Sequence, residues 1–236
     1  MNRIIFAFVF LISMAYCAAA EAGGKEVVIL LHGILDKPFI MARLENKLNN
    51  NGYAVVNWGY ASTSQTIEEI ARQLDNIVKR EKKDVTIHFV GFSLGSIVAR
   101  YYLTHYEPDN VGRFVMIAPP NHGSPMADQV YGYTWLRWLF GSKAIRQLRV
   151  ANKDFFDSMG IPACEFGIIA GGKGNDKGYR SSLPGDDDGT VCVESARLDG
   201  AKDFIIVNHP HAILVFSDDT IENIINFLET GKFLHH

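Results

Sequence analysis

The sequence predicts an α/β protein: a mostly parallel central sheet of about six strands, helices on both faces, and a small aromatic lid-like insertion. Three observations predict it. Short β-branched runs alternate with segments of helical period, the pattern of right-handed crossovers between parallel strands. Several of those runs are apolar at nearly every position, as strands covered on both faces are. The stretch from Val85 to Arg100 passes from strand to helix through Gly91-Phe92-Ser93-Leu94-Gly95. That is a G-x-S-x-G turn, which lifts one side chain above the carboxyl edge of such a sheet.

The chain has 236 residues, 47% of them hydrophobic and 21% charged. Residues 21–236 suffice for one domain with a substantial core, and no composition break marks a second. A net charge of −3 gives a nucleic-acid partner no electrostatic basis. Residues 1–20 read as a removable signal peptide. Asn2-Arg3 supplies the positive start, Ile4 to Met14 an almost unbroken apolar run, and Ala18-Ala19-Ala20 a small-residue cleavage site before Glu21. The run is too short to span a bilayer comfortably. Cys17 hints at lipidation, but Tyr16 stands before it where a small residue is expected. An exported protein, periplasmic or secreted, is the expectation. Export would permit a disulfide between Cys164 and Cys192. Opposite ends of one strand are too far apart for it, so two buried thiols are expected.

The elements follow in order. Lys25 to Leu31 is a continuous apolar strand ending at His32-Gly33-Ile34-Leu35. Gly33 lets the chain turn tightly, so the N–H of Ile34 can aim at a substrate oxygen, while His32 reads as an anchor of the loop. Phe39 to Asn50 has helical spacing and stops at Asn51-Gly52. Tyr53 to Trp58 is the next strand, and Gly59 to Ser64 a loop. Thr66-Ile67-Glu68-Glu69 resembles a capping box at the head of a helix carrying Ile70, Leu74, Ile77 and Val78. Val85 to Val90 and the helix from Leu94 flank the G-x-S-x-G turn. His88 falls on that buried strand as a core or sheet-end residue.

Arg113 to Ala118 is a further strand, followed by a loop in which His122 reads as an anchor. Between Gln129 and Leu148, Tyr131, Tyr133, Trp135, Leu136, Trp138, Leu139 and Phe140 crowd together. They form either an ordinary core helix or an acyl-binding lid over the site, spanning about residues 125–150. Glu165 to Gly172 and Phe204 to Val207 complete the strands. A last helix starts near Ser217, where Asp218 and Asp219 suit its positive end, and closes at Gly231.

The chemistry follows from the turn. A strand that becomes a helix within a residue or two leaves room for almost no side chain at its flanks, and holds its tip residue in a strained conformation. With serine at the tip, Oγ faces substrate and the N–H of Leu94 faces the developing negative charge. Such a hydroxyl needs a histidine to accept its proton and a carboxylate to orient that histidine. In folds built around such a turn the chain order is serine, acid, histidine, so the acid belongs after the strand beyond the lid and the histidine after the last strand. Asp186, Asp187 or Asp188 fills the first place and His209 or His211 the second. The three adjacent carboxylates lack the alternating spacing of a calcium loop, so no metal is expected.

These residues resemble the α/β-hydrolase superfamily, and within it the small serine lipases and esterases. The run Phe89 to Arg100 is similar to the elbow of bacterial triacylglycerol lipases and GPI-inositol-deacylase-like proteins. The resemblance implies that the acid is Asp188, directly before Gly189-Thr190-Val191. It implies His211, followed by Ala212-Ile213-Leu214 and a terminal helix with Phe227-Leu228, as the proton carrier, leaving His209 as a supporting residue. It covers Val27 to Phe233, with departures at Ser96, Phe92 and Cys192, where glycine, histidine and proline are common. The implied activity is hydrolysis of carboxylic esters, with a hydrophobic acyl chain, by Ser93, Asp188 and His211. Ile34 and Leu94 would be the oxyanion donors, and no cofactor is required. The implied partner is a small ester or lipid, with transient contact to a lipid interface. The alternatives are a thioesterase, phospholipase or acyltransferase with the same triad, or a hydrolase-fold protein that only binds.

Overall fold

The computed structural model describes residues 26–136 and 143–235. Residues 1–25, with the expected signal peptide, and Trp138, Leu139 and Phe140 lie outside them. Six strands form one sheet: β1 (Glu26–Leu31), β2 (Ala54–Trp58), β3 (Thr86–Phe92), β4 (Val111–Ile117), β5 (Phe166–Gly171) and β6 (Asp203–Val207). Their spatial order is β2-β1-β3-β4-β5-β6. Every neighbouring pair is parallel, so all the strands' carboxyl ends share one rim.

The helices divide between the two faces. After a 3-10 turn at Pro38–Met41 comes α1 (Ala42–Asn50), then α2 (Ile67–Val78) and α3 (Leu94–His105). Short helices α4 (Pro125–Gly132), α5 (Lys143–Gln147), α6 (Lys153–Ser158), α7 (Val193–Ala196) and α8 (His211–Leu214) precede the terminal α9 (Asp218–Thr230). Alternate residues of β1 feed two separate cores. Val27, Ile29 and Leu31 pack under α2 and α3, and Val28 and Leu30 under α1 and α9. β1, β3 and β5 are therefore buried on both faces, whereas the edge strands β2 and β6 are largely half-buried.

Local sequence explains the helix ends. Thr66 accepts the N–H of Glu69 while the Glu69 carboxylate accepts that of Thr66, a complete capping box. Ser217 caps α9 by accepting the N–H of Thr220, and Gly231 ends it in the left-handed region. The aromatic segment departs from a single core helix. α4 stops at Gly132, with Tyr133 extended, and Tyr133 and Trp135 are 60% and 65% exposed. Both flanks are tied down. Arg149 donates to Asp128 at 2.7 Å, and Gln147 accepts the Ile67 N–H at 2.8 Å while donating to Glu68. Among the described residues, no helix is long and apolar enough to cross a membrane.

Candidate active site

The elbow forms because its glycines permit it. A Cβ on Gly91 would stand 2.5 Å from the backbone of Ser96, and one on Gly95 would overlap the Leu31 carbonyl oxygen. Ser93 lies between them at φ 53°, ψ −117°, a conformation L-residues rarely adopt outside functional turns. Its N–H donates to Ile117 O at 2.8 Å, which locks the turn to β4. Ser96, the departure from the usual glycine, donates to Gly91 O at 2.7 Å and so braces the turn from inside. Ser93 Oγ has no hydrogen-bond partner among the described residues, and Leu94 opens α3 beside it.

The loop after β1 faces this turn. Leu35 also has positive φ, 63°, and its N–H donates to Ser62 Oγ at 3.1 Å. His32 is wholly buried. Its Nδ1–H donates to Gly33 O at 2.8 Å, its ring stacks on Tyr60 at 4.1 Å, and its backbone oxygen accepts the Tyr60 hydroxyl. Burial pushes its pKa down, so the neutral ring serves as the expected anchor. The N–H groups of Ile34 and Leu94 have no partner among the described residues. Tyr60 carries no sequence signal of its own; only the fold of β2 beside β1 brings its ring onto His32.

The acid and the histidine meet. Asp188 is 1% exposed. One carboxylate oxygen accepts the N–H groups of Thr190 and Val191 at 2.9 and 2.7 Å, and the other accepts from His211 Nδ1 at 2.6 Å. Asp188 O also accepts the His211 N–H at 2.8 Å. The His211 ring rests against Phe92 at 4.9 Å, immediately before Ser93, so the second departure from the family pattern forms part of the histidine's seat.

The other candidates have different duties. Asp187 is wholly buried and accepts the N–H groups of Gly189 and Arg180 at 2.6 and 3.0 Å. Asp186 accepts those of Lys173 and Gly174, both at 2.8 Å. These carboxylates close their own loop. His209 lies 3.7 Å from Asp219, away from Asp188. His88 is buried with Nδ1 accepting the Arg113 N–H at 2.8 Å, and His122 holds its loop through its backbone N–H to Ser195 O. Cys164 and Cys192 are free thiols, both pushed up to about 11 chiefly by burial.

One acid was not marked by any motif. Asp36, half-buried in the loop after β1, has its pKa raised by burial, against the pull of His211 and the Gly33 backbone. The signal available in sequence is its position two residues after Ile34.

A strained serine at a strand–helix turn, unpartnered N–H groups at the loop after β1 and at the head of α3, and a histidine held by a buried carboxylate are the parts that acyl transfer requires. The chain belongs to the α/β-hydrolase fold family, whose model matches residues 26–153. It is 25% identical over 135 residues to the lysosomal thioesterase PPT2 of Mus musculus, a match covering 54% of this chain and 43% of the relative. The chain thus spans less than half the length of that curated relative in the match. Among solved structures it is similar to the mature lipase BlEst2 of Bacillus licheniformis, with a TM-score of 0.68 and 22% identity over 85% of this chain and 91% of that one. The metagenomic carboxyl esterase MGS0156 gives a TM-score of 0.65 and 18% identity, covering 82% and 66%. At these identities the structural likenesses establish the fold.

Proposed function

We propose that this protein is an exported serine hydrolase that cleaves carboxylic esters through Ser93, His211 and Asp188, with the N–H groups of Ile34 and Leu94 as the oxyanion hole. The observation that carries the reading is the 2.6 Å contact between His211 Nδ1 and Asp188, with the His211 ring packed on Phe92, the residue before the strained Ser93. Asp188 fixes the tautomer in which Nε2 is free to take a proton. As Ser93 Oγ attacks the ester carbonyl, His211 takes its proton. The two N–H groups stabilise the negative oxygen, and His211 returns the proton to the departing alcohol. Water then repeats the sequence on the acyl-enzyme and releases the acid.

The hydrophobic acyl preference is supported by apolar side chains exposed beside the site loops. Leu35 and Phe39 follow the oxyanion loop, and Ile213 and Phe216 follow His211. They would also suit transient contact with a lipid surface, and Tyr133 and Trp135 support the lid reading. Export rests on the composition of residues 1–20, and the single domain on the continuous sheet of residues 26–235. A second reading, thioester cleavage, is favoured by the thioesterase match.

A fluorescent fluorophosphonate applied to the protein from Glu21 onward tests the proposal. The native protein is expected to label, Ser93→Ala to lose the label, and turnover of p-nitrophenyl esters to fall roughly 10⁴-fold or more. Equal labelling of Ser93→Ala would overturn the assignment. Oxygen and sulfur esters of one acyl chain, compared by kcat/KM, decide between esterase and thioesterase.

A further inference from the structure

Besides Asp188, which holds the imidazole, a second carboxyl group feels the charge of His211, that of Asp36. Its loop leaves β1 through His32 and Gly33, presents the N–H of Ile34, and returns the Asp36 side chain over Gly33. A Cβ on Gly33 would stand 2.5 Å from Asp36 Oδ2 and 3.2 Å from the Phe92 ring. That same Phe92 ring carries the imidazole of His211 at 4.9 Å. Asp36 and Phe92 therefore meet over one glycine at the mouth of the proposed oxyanion hole, with His211 on the same Phe92 ring.

Asp36 is short of partners. No side-chain donor and no cation among the described residues is bonded to it. The Tyr60 hydroxyl donates to His32 O, and His32 Nδ1–H to Gly33 O. The Gly33 backbone and the charge of His211 favour its ionised form, but burial outweighs them. A half-buried carboxylate keeps acceptor sites that water fills in the free protein and that a donor on a bound ligand can take over.

The mechanism indicates what supplies it. His211 returns its proton to the leaving oxygen, so the departing alcohol must lie against the imidazole. Asp36 packs over Gly33 against the same Phe92 ring as that imidazole, and its carboxylate keeps acceptor sites beyond the one the Gly33 backbone uses. We infer that Asp36 determines specificity by accepting a hydrogen bond from the alcohol half of the substrate, so that the preferred substrates are esters whose leaving alcohol carries a further hydroxyl or protonated amine. Glycerol monoesters are the simplest hydroxyl case. This inference rests on the serine-hydrolase reading above.

The test compares three esters of octanoic acid: 1-glyceryl, 2-(dimethylamino)ethyl and ethyl. They share an acyl chain and offer a hydroxyl donor, an ammonium donor and none. kcat and KM would be measured for the native protein, Asp36→Ala and Asp36→Asn, with thermal melts to verify folding. The ratio of kcat/KM for the glyceryl or aminoethyl ester over the ethyl ester is expected to fall about tenfold or more in Asp36→Ala. Asp36→Asn keeps an acceptor oxygen without the charge, so it should retain more of the glyceryl preference than of the aminoethyl one. It also keeps the question answerable if Asp36→Ala does not fold.

A purely structural role for the loop would lower turnover of all three esters together. Ratios unchanged within about twofold in both variants would overturn the inference, because a lost charged hydrogen bond is worth more than that. Failure of the underlying reading is distinguishable: the native protein would then turn over none of the esters and would not label with fluorophosphonate.

Discussion

Ser93 stands on one continuous stretch of chain that makes strand, turn and helix, whereas Asp188 and His211 stand on two separate segments beyond β5 and β6. In the elbow, most roles follow from immediate neighbours: Gly91 where a Cβ would meet Ser96, serine where φ is positive, Leu94 at the head of the helix. Gly95 alone makes room for a distant element, the end of β1. In the acid–histidine pair, nothing local joins the partners. Asp188 is oriented by Thr190 and Val191, and it in turn orients His211 through both backbone and side chain. A locally encoded part meets a part assembled only when the sheet is complete. The comparison separates damage to chemistry from damage to folding.

The largest expected effect is at the assembled part. Asp188→Asn keeps an acceptor for the Thr190 and Val191 N–H groups but turns an amide toward His211 Nδ1, which selects the wrong imidazole tautomer. On the proposed mechanism, kcat should fall by about 10³–10⁴-fold with little change in the melting temperature. Asp187→Asn should do the reverse. Asp187 accepts the N–H groups of Gly189 and Arg180 inside the loop and does not touch His211. Its loss should therefore appear mainly as about 1–3 kcal/mol of stability. Steady-state kinetics and melts of the two variants check this, and an unimpaired kcat in Asp188→Asn would remove Asp188 from the triad.

Gly95→Ala probes the local part and should have an intermediate effect. The added methyl would overlap Leu31 O and lie 2.7 Å from His32 O, so α3 and the loop after β1 must part. The expected cost is about 1–3 kcal/mol, or a fall in melting temperature of roughly 2–12 °C. Activity should fall further than stability accounts for, because Leu94 and Ile34 would separate as the two elements move. A stable variant with full activity would show that the elbow has slack the structure does not suggest.

The same contrast explains what could be read from sequence. Ser93, the capping box at Thr66 and the closing Gly231 were legible because each signal lies within a few residues. Asp188 and His211 were reachable through chain order and family resemblance, while Asp187 and His209 were equally good by position alone. Only the fold separates them, by turning Asp187 into its loop and His209 toward Asp219. Tyr60 and Asp36 have no periodicity or motif, since their surroundings come from strands and loops distant in sequence. The extra residues at the start of β4 were also hidden: Val111 pairs with Ile87 across a register shift at His88, where the ring nitrogen accepts the Arg113 N–H.

That last feature carries the smallest predicted effect. At His88 the β3–β4 register shifts, and the ring nitrogen takes the place of a ladder acceptor for the Arg113 N–H. Gly112 lies against the ring, where a Cβ would come 2.5 Å from Cε1. Burial is the main reason its pKa is lowered, with Arg113 adding to it and Glu26 opposing. A folded-state pKa below the unfolded value means that the unfolded chain binds the proton more readily. The stability contributed by neutral His88 is therefore fully present above the ordinary histidine value of 6.5 and is lost as pH falls from there through the lowered one. His32, lowered for the same reason, contributes in the same window.

His88→Gln offers an acceptor to Arg113 without titrating. It should be somewhat less stable than the native protein at pH 7.5, by about 1 kcal/mol. Below pH 6.5 its melting temperature should decline less steeply, with His32 supplying the slope that remains. Parallel melting curves for the two proteins between pH 7.5 and 5 would assign that acid sensitivity to groups other than His88.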